Sequence, residues 1–453
     1  MSRDPASEAA TAAIIAQTGK LLADKLPADV VSWGLHCLLD WFGIALAGVK
    51  DPLTLALLDE ARAEGGNPAS SILWHGDRTS SALAVLVNAS AADALDFSDA
   101  NPGMHGHTTP AIVAVALALT EARGLSGDAL LRAIVIGIET ACRVGLLAHG
   151  RLHPNGFHPT GTLVPFGAAA AAGELLELSP HHRAHALGLA ATQGAGLVAS
   201  AGTMAKPFHS GKAAMSGLLA ASLAQRGVTG RADAIEAPLG FLSAHVKEWD
   251  RHGLAACADR FFIRDTKFKA HAACALTHGS IQNMLLLKAK HGVTPNDITH
   301  LDLLVPRSSL GVCNIDEPTT GLEAKFSLRA TAAMALLGDE TGAIAAYDTD
   351  RVTRPELKRL SARIGVTPRD DLDGGEAIAI VDLNDGRRIT ESCDAYRPES
   401  DLVAQRERLV RKFNGLVEPL LGVARTARLQ QEILSIETRP SVRDLFALAA
   451  KSP

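Results

Sequence analysis

Four segments of this 453-residue chain set His, Lys and Asp beside Gly and Pro, where loops present side chains to a cleft. The first runs from Asp96-Phe97-Ser98-Asp99 to Gly103-Met104-His105-Gly106-His107-Thr108-Thr109-Pro110. Imidazole titrates near neutral pH and a carboxylate can orient it, so this loop suits proton transfer. The plainer reading is a solvated loop, or Asp side chains capping a helix. His105 and His107 form a His-x-His pair, yet no matching acidic or Cys ligand spacing recurs elsewhere, so no metal is expected. The second segment, Gly156-Phe157-His158-Pro159-Thr160-Gly161-Thr162, holds a His just before a helix start, where backbone N–H groups can face an anion. Alone, it reads as a structural His. The third runs from Gly202 to Lys212, with Met204, Lys206 and His209 around Pro207, ahead of another helix. Lysine can hold a carboxylate as a point charge, or act as acid or base. A surface lysine is the plainer alternative. The fourth is Lys267-Phe268-Lys269-Ala270-His271-Ala272-Ala273-Cys274, then Thr277-His278. It falls where the chain changes texture, a favoured place for a ligand cleft, though a basic helix face reads similarly.

The elements that must position these residues are mainly helices. Residues 30–48 place Val31, Leu35, Leu38, Leu39, Phe42 and Leu46 at intervals of three and four, a helix buried on a wide face. Residues 111–122, 126–149, 162–178, 184–193 and 212–225 read likewise, punctuated by Gly and Pro. After about residue 270 the pattern changes. Residues 298–305 and 377–383 look like strands, and Asn384-Asp385-Gly386 is a hairpin turn leading into 387–393. Between them, 322–337 and 355–364 are helix candidates. Past Tyr396-Arg397-Pro398-Glu399 the helical signal returns over 402–413 and 424–435. The expected fold is mainly α: a large all-helical domain (1–268 and 396–453) with an inserted smaller α+β lid domain (269–395).

Composition narrows the partners. Aromatics are 4% while Gly alone counts 40, and small residues let helices approach closely. A net charge of −5 argues against a general affinity for nucleic acid, and a small carboxylate needs only a local basic patch. The six cysteines lack CxxC or CxxH spacing, which points to a reducing compartment. Residues 1–18 lack the basic flank and apolar run of a signal peptide, and runs such as 111–120 are too short for a bilayer. A cytoplasmic protein without membrane or nucleic-acid partner is expected.

In order and spacing, the four segments together resemble the MmgE/PrpD superfamily. The resemblance rests on Asp96-x-x-Asp99 with His107, the Gly-Phe-His-Pro-Thr-Gly-Thr run, and Lys206-Pro207-x-His209-x-Gly211-x-Ala213-Ala214. It extends to Lys269 with Cys274 and to Ala324-Lys325-Phe326-Ser327-Leu328. That family includes 2-methylcitrate dehydratases, cis-aconitate decarboxylases and iminodisuccinate epimerases. The resemblance implies a homodimer working without a cofactor, with the active site between a helical domain and a lid. It also implies that Asp96, His107, His158, Lys206 and Lys269 line that site. Cys274 falls where some members, the decarboxylases among them, place a His. Ala100 stands where many have Thr, and Ser98 replaces the first acid of an Asp-Asp pair. The roles expected are His107 and His158 as acid/base pair, Lys206 and Lys269 as carboxylate clamps, and Asp96 orienting the histidine loop. Cys274 is a further acid/base group if exposed, with a buried packing cysteine the plainer reading. His209, His271 and Met204 complete the expected substrate-binding set. The function expected is a dehydratase-type lyase acting next to a carboxylate of a citrate-like acid. The alternatives are an epimerase of a dicarboxylate, a cis-aconitate-type decarboxylase, and an inactive helical dimer that binds without turnover.

Overall fold

Small residues decide how the helices of this chain pack. The computed structural model describes residues 10–250, 252–395 and 400–451. Helix Pro159–Leu175 runs through the body and packs against helices Ala205–Gln225, Gly127–Ala148 and Thr109–Arg123. A methyl group on Gly167 would stand 2.5 Å from the Gly137 carbonyl oxygen, and one on Gly217 would stand 2.6 Å from that of Pro165. Backbones therefore touch where larger side chains would hold them apart. Helix Ala28–Ala47 is long and apolar enough to cross a bilayer by composition. Here its faces are buried against neighbouring helices, as in a core helix.

The last helices fold back onto the first. Helix Leu402–Leu421 packs on Ala28–Ala47, with Gln405 Nε2 donating to His36 Nδ1 at 2.9 Å. Lys412 pairs with the buried Asp40 carboxylate at 2.7 Å and donates to the Phe97 carbonyl at 3.0 Å. The segment Tyr396-Arg397-Pro398-Glu399, which precedes the return of the helical signal, lies outside the described residues.

A four-stranded sheet forms between residues 298 and 394, in the order Ile364–Arg369, Ile298–Pro306, Glu376–Leu383, Arg388–Asp394. The first pair is parallel and the others antiparallel. Along Glu376–Leu383 alternate residues are buried, and the Ala377, Ala379, Val381, Leu383 face meets helix His278–His291. Several elements differ from the sequence expectation, among them helix Leu402–Leu421, which runs on past the expected end at 413. Residues 322–337 are not one helix: Gly321–Ala324 and Leu328–Leu337 are separate, because Ser327 caps the second by accepting from Ala330 N at 3.2 Å. Residues 355–364 divide into helix Pro355–Ser361 and the start of an edge strand. Helix Ala205–Gln225 begins seven residues earlier than expected, with Pro207 in its first turn, where its missing N–H is harmless. Overall the described chain is mainly α with a small sheet.

Candidate active site

Helix Ser81–Asp93 ends on an acid, and the loop from there to helix Thr109–Arg123 carries Asp96, Asp99, His105 and His107. Asp99 caps that second helix. Its carboxylate accepts from Thr108 Oγ1 at 2.7 Å, Thr109 Oγ1 at 2.6 Å and Thr109 N at 3.0 Å. Its backbone carbonyl faces His107 Nδ1. A carbonyl can only accept, so Nδ1 carries the hydrogen and Nε2 presents its lone pair. Asp96 has φ 53°, in the left-handed region that Asp tolerates better than most side chains. That turn buries its carboxylate, leaving the residue 2% exposed.

Two further elements bring lysines to Asp96. Residues 100 and 267 pair as an antiparallel bridge, with both N–H···O distances at 2.8 Å. Lys269 then reaches the Asp96 carbonyl at 2.6 Å and Asp96 Oδ2 at 3.1 Å. Helix Ala205–Gln225 lies close on Ser81–Asp93 because position 211 is Gly; a methyl there would collide with Ser90 Oγ and the Leu86 carbonyl. This closeness sets Lys206 Nζ 2.6 Å from Asp96 Oδ1, 3.3 Å from Asp93 Oδ1 and 3.2 Å from His107 Nε2. Asp93 also accepts from Ser98 Oγ and Ser210 Oγ, each at 2.8 Å. Lys206, His209 and Ser210 share one helix face through spacings of three and four. His158 stands at the start of helix Pro159–Leu175, its Nδ1 3.0 Å from His209 Nδ1 and its ring centroid 6.3 Å from that of His107.

Charge follows from these contacts. Burial works to raise the Asp96 pKa, but the Lys206 and Lys269 ammonium groups outweigh it and hold the carboxyl well below its ordinary range. Burial opposes the Lys206 charge, yet Asp93 and Asp96 raise its pKa, so it stays an ammonium. His107 and His158 are both pushed down, first by burial and then by Lys206, which keeps them neutral imidazoles. One ligand atom each of Asp93, Asp96 and His107 lies within 4.8 Å of the others, a set that could hold a cation. The Lys206 ammonium occupies the middle of that set, at hydrogen-bonding distance from all three.

A cavity of about 350 Å³ opens on this cluster. Asp96, His107, His158, Lys206 and Cys274 line it, facing an apolar wall that includes Leu276, Val312, Phe326 and Leu372. The remaining expected residues are not among those lining it. Lys269 aims its ammonium at Asp96, and His209 sits behind His158. His271 is bound by Thr341 Oγ1 at 2.8 Å and Gln282 Nε2 at 2.7 Å. Met204 is 53% exposed at the head of its helix. Reading residue types at a motif picked out the neighbourhood, but it could not tell which side chains turn away.

The structure adds Asp93, which spacing alone did not single out, and defines the surroundings of Lys325 and Cys274. Asp93 ends an otherwise uncharged helix, and tertiary contacts such as that with Lys206 mark it. Lys325 is buried and donates to the Leu95 carbonyl; burial pulls its pKa down to about 8, although Asp96 opposes this. Cys274 is half-buried beside Cys313, whose hydrogen bond lowers the Cys274 thiol pKa despite burial.

Residues 10–252 match the MmgE/PrpD N-terminal domain, and residues 271–438 match the MmgE/PrpD C-terminal domain. The chain belongs to the MmgE/PrpD family. A cis-aconitate decarboxylase of Aspergillus terreus is 25% identical over 99% of this chain and 98% of its own length. The cis-aconitate decarboxylase of Mus musculus is 26% identical over 88% of this chain and 85% of its own. That of Homo sapiens is 27% identical over 87% and 84% respectively. In this MmgE/PrpD chain, Asp96, His107, His158 and Lys206 fall in the first matched segment, and Cys274, Val312 and Phe326 in the second. Both segments therefore supply walls of one cavity. Chemically, neutral imidazoles accept a proton, while a buried, fixed ammonium stabilises negative charge.

Proposed function

We propose that this chain is a cofactor-independent lyase acting next to a carboxylate of a small tri- or dicarboxylic acid, with dehydration of a citrate-like acid the leading reaction. The observation that carries this reading is the placement of neutral His107 and His158 beside the Lys206 ammonium on one cavity. A C–H next to a carboxylate is weakly acidic, and removing its proton doubles the charge on that carboxylate. Lys206 stabilises this charge in a site where little water competes. His158 takes the proton through Nε2, the ring nitrogen that does not face His209, or His107 takes it at Nε2 in place of its contact with Lys206. The departing hydroxyl needs an acid, and Cys274 faces the same cavity. Asp96, held by both lysines, keeps the ammonium of Lys206 aimed. In this reading the 269–395 region closes over the cavity as a lid, and the working unit is a cytoplasmic homodimer.

Decarboxylation is the second reading, favoured by the names of the relatives. It asks for a proton donor after carbon dioxide leaves, and the neutral imidazoles would first have to gain a proton. Incubation with citrate, 2-methylcitrate, cis-aconitate and iminodisuccinate in deuterated water, followed by NMR, separates the cases. Alkene signals from a hydroxy acid indicate dehydration, and a lost carboxyl indicates decarboxylation. Deuterium wash-in with inverted configuration indicates epimerisation. No change in any of the four would sink the proposal.

A further inference from the structure

Outside the residues lining the candidate cavity, helix Pro180–Ala191 carries His181, His182 and His185. A spacing of four puts His181 and His185 on the same helical face. Their Nε2 atoms lie 3.2 Å apart, with the rings perpendicular and the centroids 4.4 Å apart. His185 Nδ1 stands 2.8 Å from the Gly230 carbonyl oxygen. That oxygen can only accept, so Nδ1 carries the hydrogen and His185 Nε2 offers its lone pair towards His181. The carbonyl is firmly placed, because residues 230 and 231 pack directly on the helix; a methyl on Gly188 would collide with the Arg231 carbonyl. An imidazole whose far nitrogen donates to a backbone carbonyl is the usual arrangement of a metal-bound His.

We propose that His181 and His185 form a two-imidazole site for a late first-row divalent cation such as nickel, zinc or copper. Metal–imidazole bonds of about 2.0–2.1 Å imply that two ligands of one ion stand about 2.9 Å apart in octahedral and about 3.3 Å apart in tetrahedral geometry. The 3.2 Å separation falls within that span. His182 turns instead to Ser179 Oγ at 3.2 Å, so water or an external ligand fills the remaining positions. His181 is exposed and His185 partly so, which leaves the site open to solvent. Imidazole nitrogen selects borderline ions over magnesium and calcium, which take oxygen ligands.

Calorimetric titration of the full chain with nickel alone tests the site, with copper, zinc, manganese and magnesium as comparators. One nickel should bind per chain, copper more tightly, manganese weakly and magnesium not at all. His181→Ala and His185→Ala should each weaken nickel binding by about tenfold or more. His182→Ala should leave it within about twofold, and none of the three should alter metal-free turnover. Copper-loaded protein should show hyperfine coupling to imidazole nitrogen that both His181→Ala and His185→Ala reduce. Unchanged nickel affinity in both variants would place the ion elsewhere and overturn the proposal. So would a wild-type chain that binds no nickel.

Discussion

Replacing Lys206 by Met removes the charge and keeps most of the apolar stem, which makes it the most informative single perturbation. The ammonium contacts Asp96 at 2.6 Å, Asp93 at 3.3 Å and His107 at 3.2 Å, in a place where the residue is 6% exposed. Removing one partner of a buried ion pair costs about 3–5 kcal/mol, because the partner charge stays buried. Here the cost should sit near the low end. Asp96 keeps Lys269, and Asp93 keeps the hydroxyls of Ser98 and Ser210. With an unfolding entropy of about 2 cal/mol/K per residue, a chain of 453 residues loses about 3–5 °C in Tm for that change. The fold therefore survives, and kinetics remain readable. If the ammonium stabilises charge that develops on the substrate carboxylate, kcat should fall by about 10²–10³, the scale of losing one preorganised electrostatic partner. Thermal melting and steady-state kinetics on the confirmed substrate give both numbers. Lys269→Met is the control, since its ammonium reaches Asp96 rather than the cavity; a mixed loss in KM and kcat is expected there. A folded Lys206→Met variant with kcat within about threefold of wild type would refute the charge-stabilising role.

His107→Ala and His158→Ala should each lower turnover by about a hundredfold or more with the fold retained. Both imidazoles titrate below their ordinary value of 6.5. Their contribution to stability is thus present above that pH and lost as pH falls through the depressed folded values, and the acid limb of kcat/KM should lie below about 6.5. An acid limb at pH 7 or above would contradict neutral histidines. Cys274 should be the first cysteine alkylated by iodoacetamide near neutral pH. Cys313→Ala should slow that reaction roughly threefold or more by removing the hydrogen bond to the thiolate; mass spectrometry locates the label, and equal labelling of both proteins would count against the pair. Gly211→Ala should cost about 1–3 kcal/mol by forcing helix Ala205–Gln225 away from Ser90 and Leu86. Turnover should fall with it as Lys206 leaves Asp93, and an unchanged Tm with full activity would show that the close approach is dispensable.

Helices such as Ala28–Ala47 and Gly127–Ala148 were legible because small and apolar residues recur every three or four positions, whereas Pro52–Glu64 and Ser81–Asp93 were not singled out. The strands Glu376–Leu383 and Arg388–Asp394 were legible through alternation around Asn384-Asp385-Gly386. Strand Ile364–Arg369 was not. Its Gly365 and Pro368 read as breakers, yet it lies on the sheet edge, where a missing N–H is tolerated. At the site, the identities of Asp96, His107, His158, Lys206 and Cys274 marked the cavity wall. The inward turn of Lys269 towards Asp96 was not legible, nor was the pinning of His271 by Thr341 and Gln282, because both depend on segments far away in sequence. Asp93 was missed for the same reason.

The most direct test of proton transfer at this cavity is the rate at which deuterium from solvent appears next to the substrate carboxylate, measured by NMR for wild type, His107→Ala and His158→Ala. Wild-type protein should convert or exchange at least one of citrate, 2-methylcitrate, cis-aconitate and iminodisuccinate, and at least one histidine variant should slow this by about a hundredfold. Exchange that continues at the wild-type rate in both folded variants would contradict the assignment of catalysis to these imidazoles.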